Sequence, residues 1–141
     1  LGAHGGITVV DDYAHNPGKV GALIASAKEA GWSRVLVVFQ PHRYTRTRDQ
    51  GPDLARSLAG ADMVAVTEVY GAGEAPLEGV GGEQLASAAR ALGGATVEWT
   101  PTLDDALRWA LAEARPEDLV LTVGAGDVHT VGRRLLEELQ R

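Results

Sequence analysis

Two segments of this sequence crowd chemically capable side chains into a few positions. Asp11-Asp12-Tyr13-Ala14-His15-Asn16-Pro17 places two carboxylates, a phenol, an imidazole and an amide just ahead of an apolar-periodic stretch. Gln40-Pro41-His42-Arg43-Tyr44-Thr45-Arg46-Thr47-Arg48 places an imidazole and three of the chain's 11 arginines directly after its most apolar run. A helix start offers unpaired N–H groups and the positive end of a dipole, which favours anions. An arginine offers a planar fork that holds a carboxylate or phosphate at two points. Together these features suit a small anionic ligand. Arg43 and Arg46, three apart, face one side if the loop is turn-like, whereas Arg48 reads as a surface residue. The same arginines also read as a solvated basic loop paired with Asp49 and Asp53. Asn16 and Pro17 serve equally well as a helix N-cap and first helical residue.

Two further segments are rich in glycine. Val69-Tyr70-Gly71-Ala72-Gly73-Glu74-Ala75-Pro76 carries one chemically active side chain, Glu74, and otherwise reads as an irregular loop. Gly124-Ala125-Gly126-Asp127 matches half of a dinucleotide-binding fingerprint, but it follows the last apolar run and Gly132 falls too late to complete it. A tight turn with Asp127 capping the next helix is the simpler account.

Several chemistries are excluded. Pro17-Gly18-Lys19-Val20 lacks the upstream glycine and the Ser/Thr of a phosphate-binding P-loop. His4, His15, His42 and His129 are scattered without metal-ligand spacing, and His4 and His129 read as structural. There is no cysteine and no Gly-x-Ser-x-Gly elbow, so neither a thiolate site nor a hydrolase nucleophile is available. A net charge of −6 argues against nonspecific nucleic-acid binding. No apolar run is long enough for a membrane span.

The elements that must position these loops follow from the hydropathy pattern. With 141 residues, 45% hydrophobic and 23% charged, the chain has room for one globular domain. Ile7–Val10, Val35–Phe39, Met63–Val66, Thr96–Trp99 and Leu119–Val123 are predicted strands, the first ended by Asp11-Asp12. Helices are predicted from Pro17 to about Ala30, Gly51 to Leu58, Gln84 to Leu92, Thr102 to about Ala114 and Val131 to Leu139. Thr102-Leu103-Asp104-Asp105 has capping-box form with Asp in the Glu/Gln place. Strands alternating with helices predict an α/β fold, a Rossmann-like and mostly parallel sheet of about five to six strands with helices on both faces. Ligands gather at the carboxyl ends of such strands, which is where all four polar segments fall. The chain begins at Leu1 rather than Met, as a piece of a larger protein would.

The first loop resembles the Asp-Tyr-Ala-His-x-Pro loop of the Mur ligases, cytoplasmic ATP-dependent enzymes that build the peptidoglycan stem peptide. Phe39 to Thr47 and Tyr70 to Pro76 resemble stretches of the branch that joins L-alanine to UDP-N-acetylmuramate, and Gly124–Asp127 resembles its closing motif. The matches cover essentially the whole chain but only the family's C-terminal domain, residues 1–141 here. The N-terminal UDP-binding domain and the central ATP-binding domain lie elsewhere. The resemblance implies an acyl-phosphate mechanism, with ATP and Mg²⁺ held mainly by the central domain and no catalytic or metal-binding residue in this chain. It implies that His15, His42, Arg43 and Arg46 line the amino-acid site, and that Asp11, Tyr13 and Asn16 lie toward the nucleotide. One departure stands out: the alanine-adding branch commonly has His-His-Pro where this chain has His15-Asn16-Pro17. A sister ligase domain with another amino acid or peptide substrate therefore stays open. So do a free-standing nucleotide-sensing α/β module and a dehydrogenase-type domain using Gly124-Ala125-Gly126.

Overall fold

The computed structural model describes residues 1–141. Six strands form one sheet: β1 (Gly2–His4), β2 (Ile7–Asp12), β3 (Arg34–Phe39), β4 (Met63–Val66), β5 (Thr96–Trp99) and β6 (Asp118–Val123). Their order is β1-β2-β6-β3-β4-β5; β1 runs antiparallel to β2 and every other pairing is parallel. Five helices cover the sheet: α1 (Pro17–Glu29), α2 (Tyr44–Leu58), α3 (Gly82–Leu92), α4 (Leu103–Glu113) and α5 (His129–Leu139). The α/β class, the parallel strands and the helices on both faces match the sequence-based expectation.

The unbroken apolar run of β3 is explained by its central position. Side chains alternate across a strand, so Val35, Val37 and Phe39 pack under α1, α2 and α3 while Leu36 and Val38 pack under α4 and α5. Both faces are buried, and no polar alternation is needed. The capping box is present as expected: the Asp105 amide donates to Thr102 Oγ1 at 3.0 Å, and the Thr102 amide donates to Asp105 Oδ2 at 3.2 Å.

Three elements differ from the sequence-based reading. Strand β1 has no counterpart among the predicted strands; it is a three-residue exposed edge strand joined to β2 by Gly5-Gly6, whose φ values of 59° and 81° suit a primed hairpin turn. Strand β2 does not stop before the carboxylates, because Asp11 and Asp12 remain in parallel register with Thr122 and Val123. Helix α2 begins at Tyr44 rather than Gly51, so Thr45, Arg46, Thr47 and Arg48 are helical. A proline inside a helix normally interrupts it, but Pro52 is exposed here, and Tyr44, Thr47, Leu54, Ala55 and Leu58 form one buried stripe across it. Packing of that stripe overrides the local signal.

Candidate functional site

The site forms where β2, β3, β4 and β6 end at the same edge of the sheet. After β2, the Ala14 amide donates to Asp12 Oδ1 at 2.9 Å, turning the chain into α1. Asn16 then caps the helix, its Oδ1 accepting from the Lys19 amide at 2.9 Å. His15 lies between, with Nδ1 3.1 Å from the Tyr13 carbonyl oxygen.

The loops after β3 and β4 are joined by backbone. The Tyr70 amide donates to the Pro41 carbonyl and the Arg43 amide to the Tyr70 carbonyl, both at 2.8 Å. This bridge sets the His42 ring parallel to Tyr70, centroids 5.7 Å apart and planes 12° apart. His15 lies 5.8 Å from His42 with its ring tilted by 56°, and Tyr13 makes an edge contact with His15 at 5.6 Å. Four rings thus run in a row across the mouth of the sheet.

Within the first turn of α2, Arg46 Nη1 comes within 3.4 Å of His42 Nδ1. A guanidinium only donates, so this contact assigns Nδ1 as acceptor and leaves the proton on Nε2. Burial lowers the His42 pKa, and the positive charges of Arg46, His15 and Arg43 lower it further. The solvated-loop reading holds for Arg48, which pairs with its neighbour Asp49, but not for the other two arginines, since Asp53 is taken by Arg56. Arg43 and Arg46 have no carboxylate within ion-pair distance. His15, His42 and Arg46 are thus brought into contact, with Arg43 exposed at the start of α2, and the two guanidinium groups carry the positive charge of this edge.

The three residues expected toward a nucleotide are not brought together. Tyr13 is 69% exposed and, with His15 and Lys19, borders an open depression of about 440 Å³ on the outer face of α1. The Asn16 side-chain oxygen is engaged by the helix. Asp11 points to the opposite face of the sheet, where its Oδ1 accepts from Thr122 Oγ1 at 2.7 Å. There it lines a second depression beside His129 and Arg133.

Two readings of the glycine-rich segments need correction. Asp127 does not cap α5, whose N-cap residue is Val128 with no side-chain capping bond. Its carboxylate instead accepts from Gln40 Nε2 at 2.7 Å, while Gln40 Oε1 accepts from the Val128 amide at 3.2 Å. Gln40 is 5% exposed and ties the end of β3 to the start of α5. A Cβ on Gly126 would lie 2.6 Å from both Gln40 Oε1 and Tyr70 Cγ. The glycine makes room for Tyr70, which removes the reason to read it as the floor of a dinucleotide site. Glu74 is not idle loop either: its two oxygens accept from the Thr45 amide at 3.1 Å and the Thr45 hydroxyl at 2.6 Å. Gln40 was legible only as the first polar residue after a buried strand. Thr45 carried no signal of its own.

No three or more His, Asp or Glu side chains converge to hold a metal ion, and no helix is long and apolar enough to cross a membrane.

A mostly parallel α/β sheet with two histidines and two arginines lacking carboxylate partners at its carboxyl edge defines a Rossmann-like domain whose polar side chains gather at one end of the strands. The family is defined as well: residues 1–126 match the model of the Mur ligase glutamate ligase domain, and this chain belongs to that family. It is 48% identical over 139 residues to the UDP-N-acetylmuramate–L-alanine ligase of Anaeromyxobacter sp. (strain Fw109-5), an alignment covering 99% of this chain and 30% of the relative. The same-named ligase of Desulforamulus reducens is 43% identical over 140 residues, with the same coverage of 99% and 30%. In three dimensions the chain resembles the crystal structure of UDP-N-acetylmuramate–alanine ligase from Thermotoga maritima, with a TM-score of 0.75 and 31% identity over 95% of this chain and 27% of that one. The chain thus spans about 30% of the length of the curated relatives it matches.

Proposed function

We propose that residues 1–141 are the C-terminal, amino-acid-binding domain of a ligase that joins L-alanine to UDP-N-acetylmuramate in peptidoglycan synthesis. The observation that carries this reading is the unpaired Arg43–Arg46 pair beside His42 and His15. A small carboxylate set between two guanidinium groups gains charge-assisted hydrogen bonds worth about 1.5–3 kcal/mol each. The near-half identity to L-alanine-adding ligases over nearly the whole chain supports alanine as the amino acid.

In the reaction this reading implies, a lactyl carboxylate oxygen of UDP-N-acetylmuramate attacks the γ-phosphorus of ATP, giving an acyl phosphate and ADP. The neutral amine of L-alanine attacks the acyl carbon; the amide bond forms, phosphate leaves and the amine gives up a proton. The role of this chain is positioning. Arg43, Arg46, His42 and His15 hold the alanine carboxylate so that its amine points at the acyl carbon. Tyr13, beside its depression, and Asn16, at the start of α1, face the nucleotide side. Asp11, across the sheet, stands apart from that contact. The donor set here does not fit Mg²⁺, so no step of this chain runs through the metal. The chain acts in the cytoplasm, against the other domains of its ligase.

The test is steady-state kinetics of the full-length ligase carrying this chain. Arg43→Ala raises the KM for alanine about 10–100-fold, the equivalent of roughly 1.5–3 kcal/mol, with little change in the KM for ATP. An unchanged alanine KM removes Arg43 from the site. The 141-residue chain alone shows no ATP turnover above a heat-treated control.

A further inference from the structure

The helix that carries the arginine pair has no cap of its own. Its N-cap residue is Arg43, with φ 70° and ψ 137°, and no side chain of the segment bonds back to the first-turn amides. The first amides of a helix lack intrahelical partners. Here they are met by a residue from another loop, 29 positions along the chain: Glu74, whose carboxylate accepts from the Thr45 amide and hydroxyl. The Tyr44 amide also faces this carboxylate. An anion at that place further suits the positive end of the α2 dipole.

Glu74 is delivered by a tight turn in which its amide donates to the Gly71 carbonyl at 3.1 Å, with Ala72 and Gly73 at φ 52° and 92°. Three non-glycine residues in the chain have positive φ: Arg43, Ala72 and Glu117. Two of these stand on the two loops that Glu74 and Thr45 join. Strained backbone of this kind persists only where its surroundings hold it. The loops are held at one end by the His42–Tyr70 backbone bridge and at the other by the Glu74–Thr45 contact. With both Glu74 oxygens turned to Thr45, the carboxylate sits near the arginines without forming an ion pair with either.

We propose that Glu74 is a positioning residue for the amino-acid site, acting through Thr45 to fix the first turn of α2 and so the directions of Arg43 and Arg46. This inference rests on the reading that the arginine pair holds the amino-acid carboxylate. On it, the Gly71–Glu74 turn fixes the geometry of the acceptor site while leaving both arginines free.

The experiment measures kcat and the KM for each substrate of the full-length ligase, with thermal unfolding of each variant. Glu74→Gln and Thr45→Val each raise the alanine KM about 3–10-fold, while the KM for ATP and the melting temperature hold. The double variant falls short of the product of the two single effects, because both act on the Glu74–Thr45 interaction. Thr45→Ser, which keeps the hydroxyl and the amide, restores the parent KM. An unchanged alanine KM in Glu74→Gln overturns the proposal. So does a parallel loss in every kinetic constant together with a lowered melting temperature, which marks a merely structural part. Arg43→Ala is run alongside. If it leaves the alanine KM unchanged, the reading of the arginine pair has failed. If it raises that KM and Glu74→Gln does not, only the role of Glu74 has failed.

Discussion

The Tyr70 ring lies so close over the backbone of Gly126 that a Cβ there would fall 2.6 Å from Tyr70 Cγ. The stacking of His42 on Tyr70 therefore has a floor, supplied by the β6–α5 loop. Gln40 sets the height of that floor by binding Asp127 and the Val128 amide from below. Loops that are far apart in sequence are locked into one arrangement by an amide, a stacked pair and a missing side chain.

Gly126→Ala tests that arrangement. The new methyl group meets the root of the Tyr70 ring and the amide oxygen of buried Gln40, so one of them must shift and overpacking lowers stability by roughly 1–3 kcal/mol. Urea denaturation of the isolated chain measures this. Tyr70→Ala in the same background restores only part of the loss, because Gln40 Oε1 remains 2.6 Å from the methyl position. Full restoration would show that Gln40 moves aside and is no fixed prop.

A related expectation concerns Gln40 itself. Gln40→Leu keeps an apolar body in place but leaves the buried Val128 amide without its acceptor and Asp127 without its donor. An unmet buried donor costs about 1–3 kcal/mol, and the denaturation midpoint of Gln40→Leu falls accordingly. An unaltered midpoint would mean that water takes over both contacts.

Whether a feature of this fold is legible in the sequence depends on whether it is local. The central strands are legible because double-sided burial writes itself as continuous apolar sequence, as in Val35–Phe39. The Thr102–Asp105 capping box and the Asn16 cap are legible because a side chain reaches a backbone amide only three residues away. The candidate ligand residues His15, His42 and Arg46 are legible as residue types placed after strands, and the structure brings their side chains together. Contacts between distant loops leave no such trace: Gln40 to Asp127, Glu74 to Thr45, Tyr70 over Gly126. The early start of α2 is hidden for the same reason, since Gly51-Pro52 is a local signal and the buried stripe that overrides it is tertiary. Asp11 and Asp12 are adjacent in sequence, yet strand alternation sends them to opposite faces. A strand ending before them would have hidden that.

The His42 environment predicts a pH dependence of stability. Burial first, and then the charges of Arg46, His15 and Arg43, hold its folded pKa below the ordinary value of 6.5. The folded protein thus binds this proton less readily than the unfolded chain. Above 6.5 both states are neutral at this residue and its contribution is complete; as pH falls through 6.5 the unfolded chain takes up the proton first and stability declines. His42→Asn flattens the dependence of the urea midpoint between about pH 7.5 and 5 relative to the parent. Equal slopes in parent and variant would mean that His42 titrates alike in both states.

Three arginines within six residues, all bearing the same charge, are separated by their partners. Arg48 is 54% exposed and bound to Asp49, so it is neutralised and faces solvent. Arg46 is partly buried, contacts His42 and has no carboxylate partner. In the full-length ligase, Arg48→Ala leaves the alanine KM as it was, because a solvent-screened pair of this kind contributes little to stability and nothing to ligand. Arg46→Ala raises that KM by at least about tenfold. Arg46→Lys falls between the two, since a lysine keeps the charge but cannot grip a carboxylate at two points. Were Arg46→Lys indistinguishable from the parent, the site would be using charge alone, and the two-point grip assigned to the pair would be wrong.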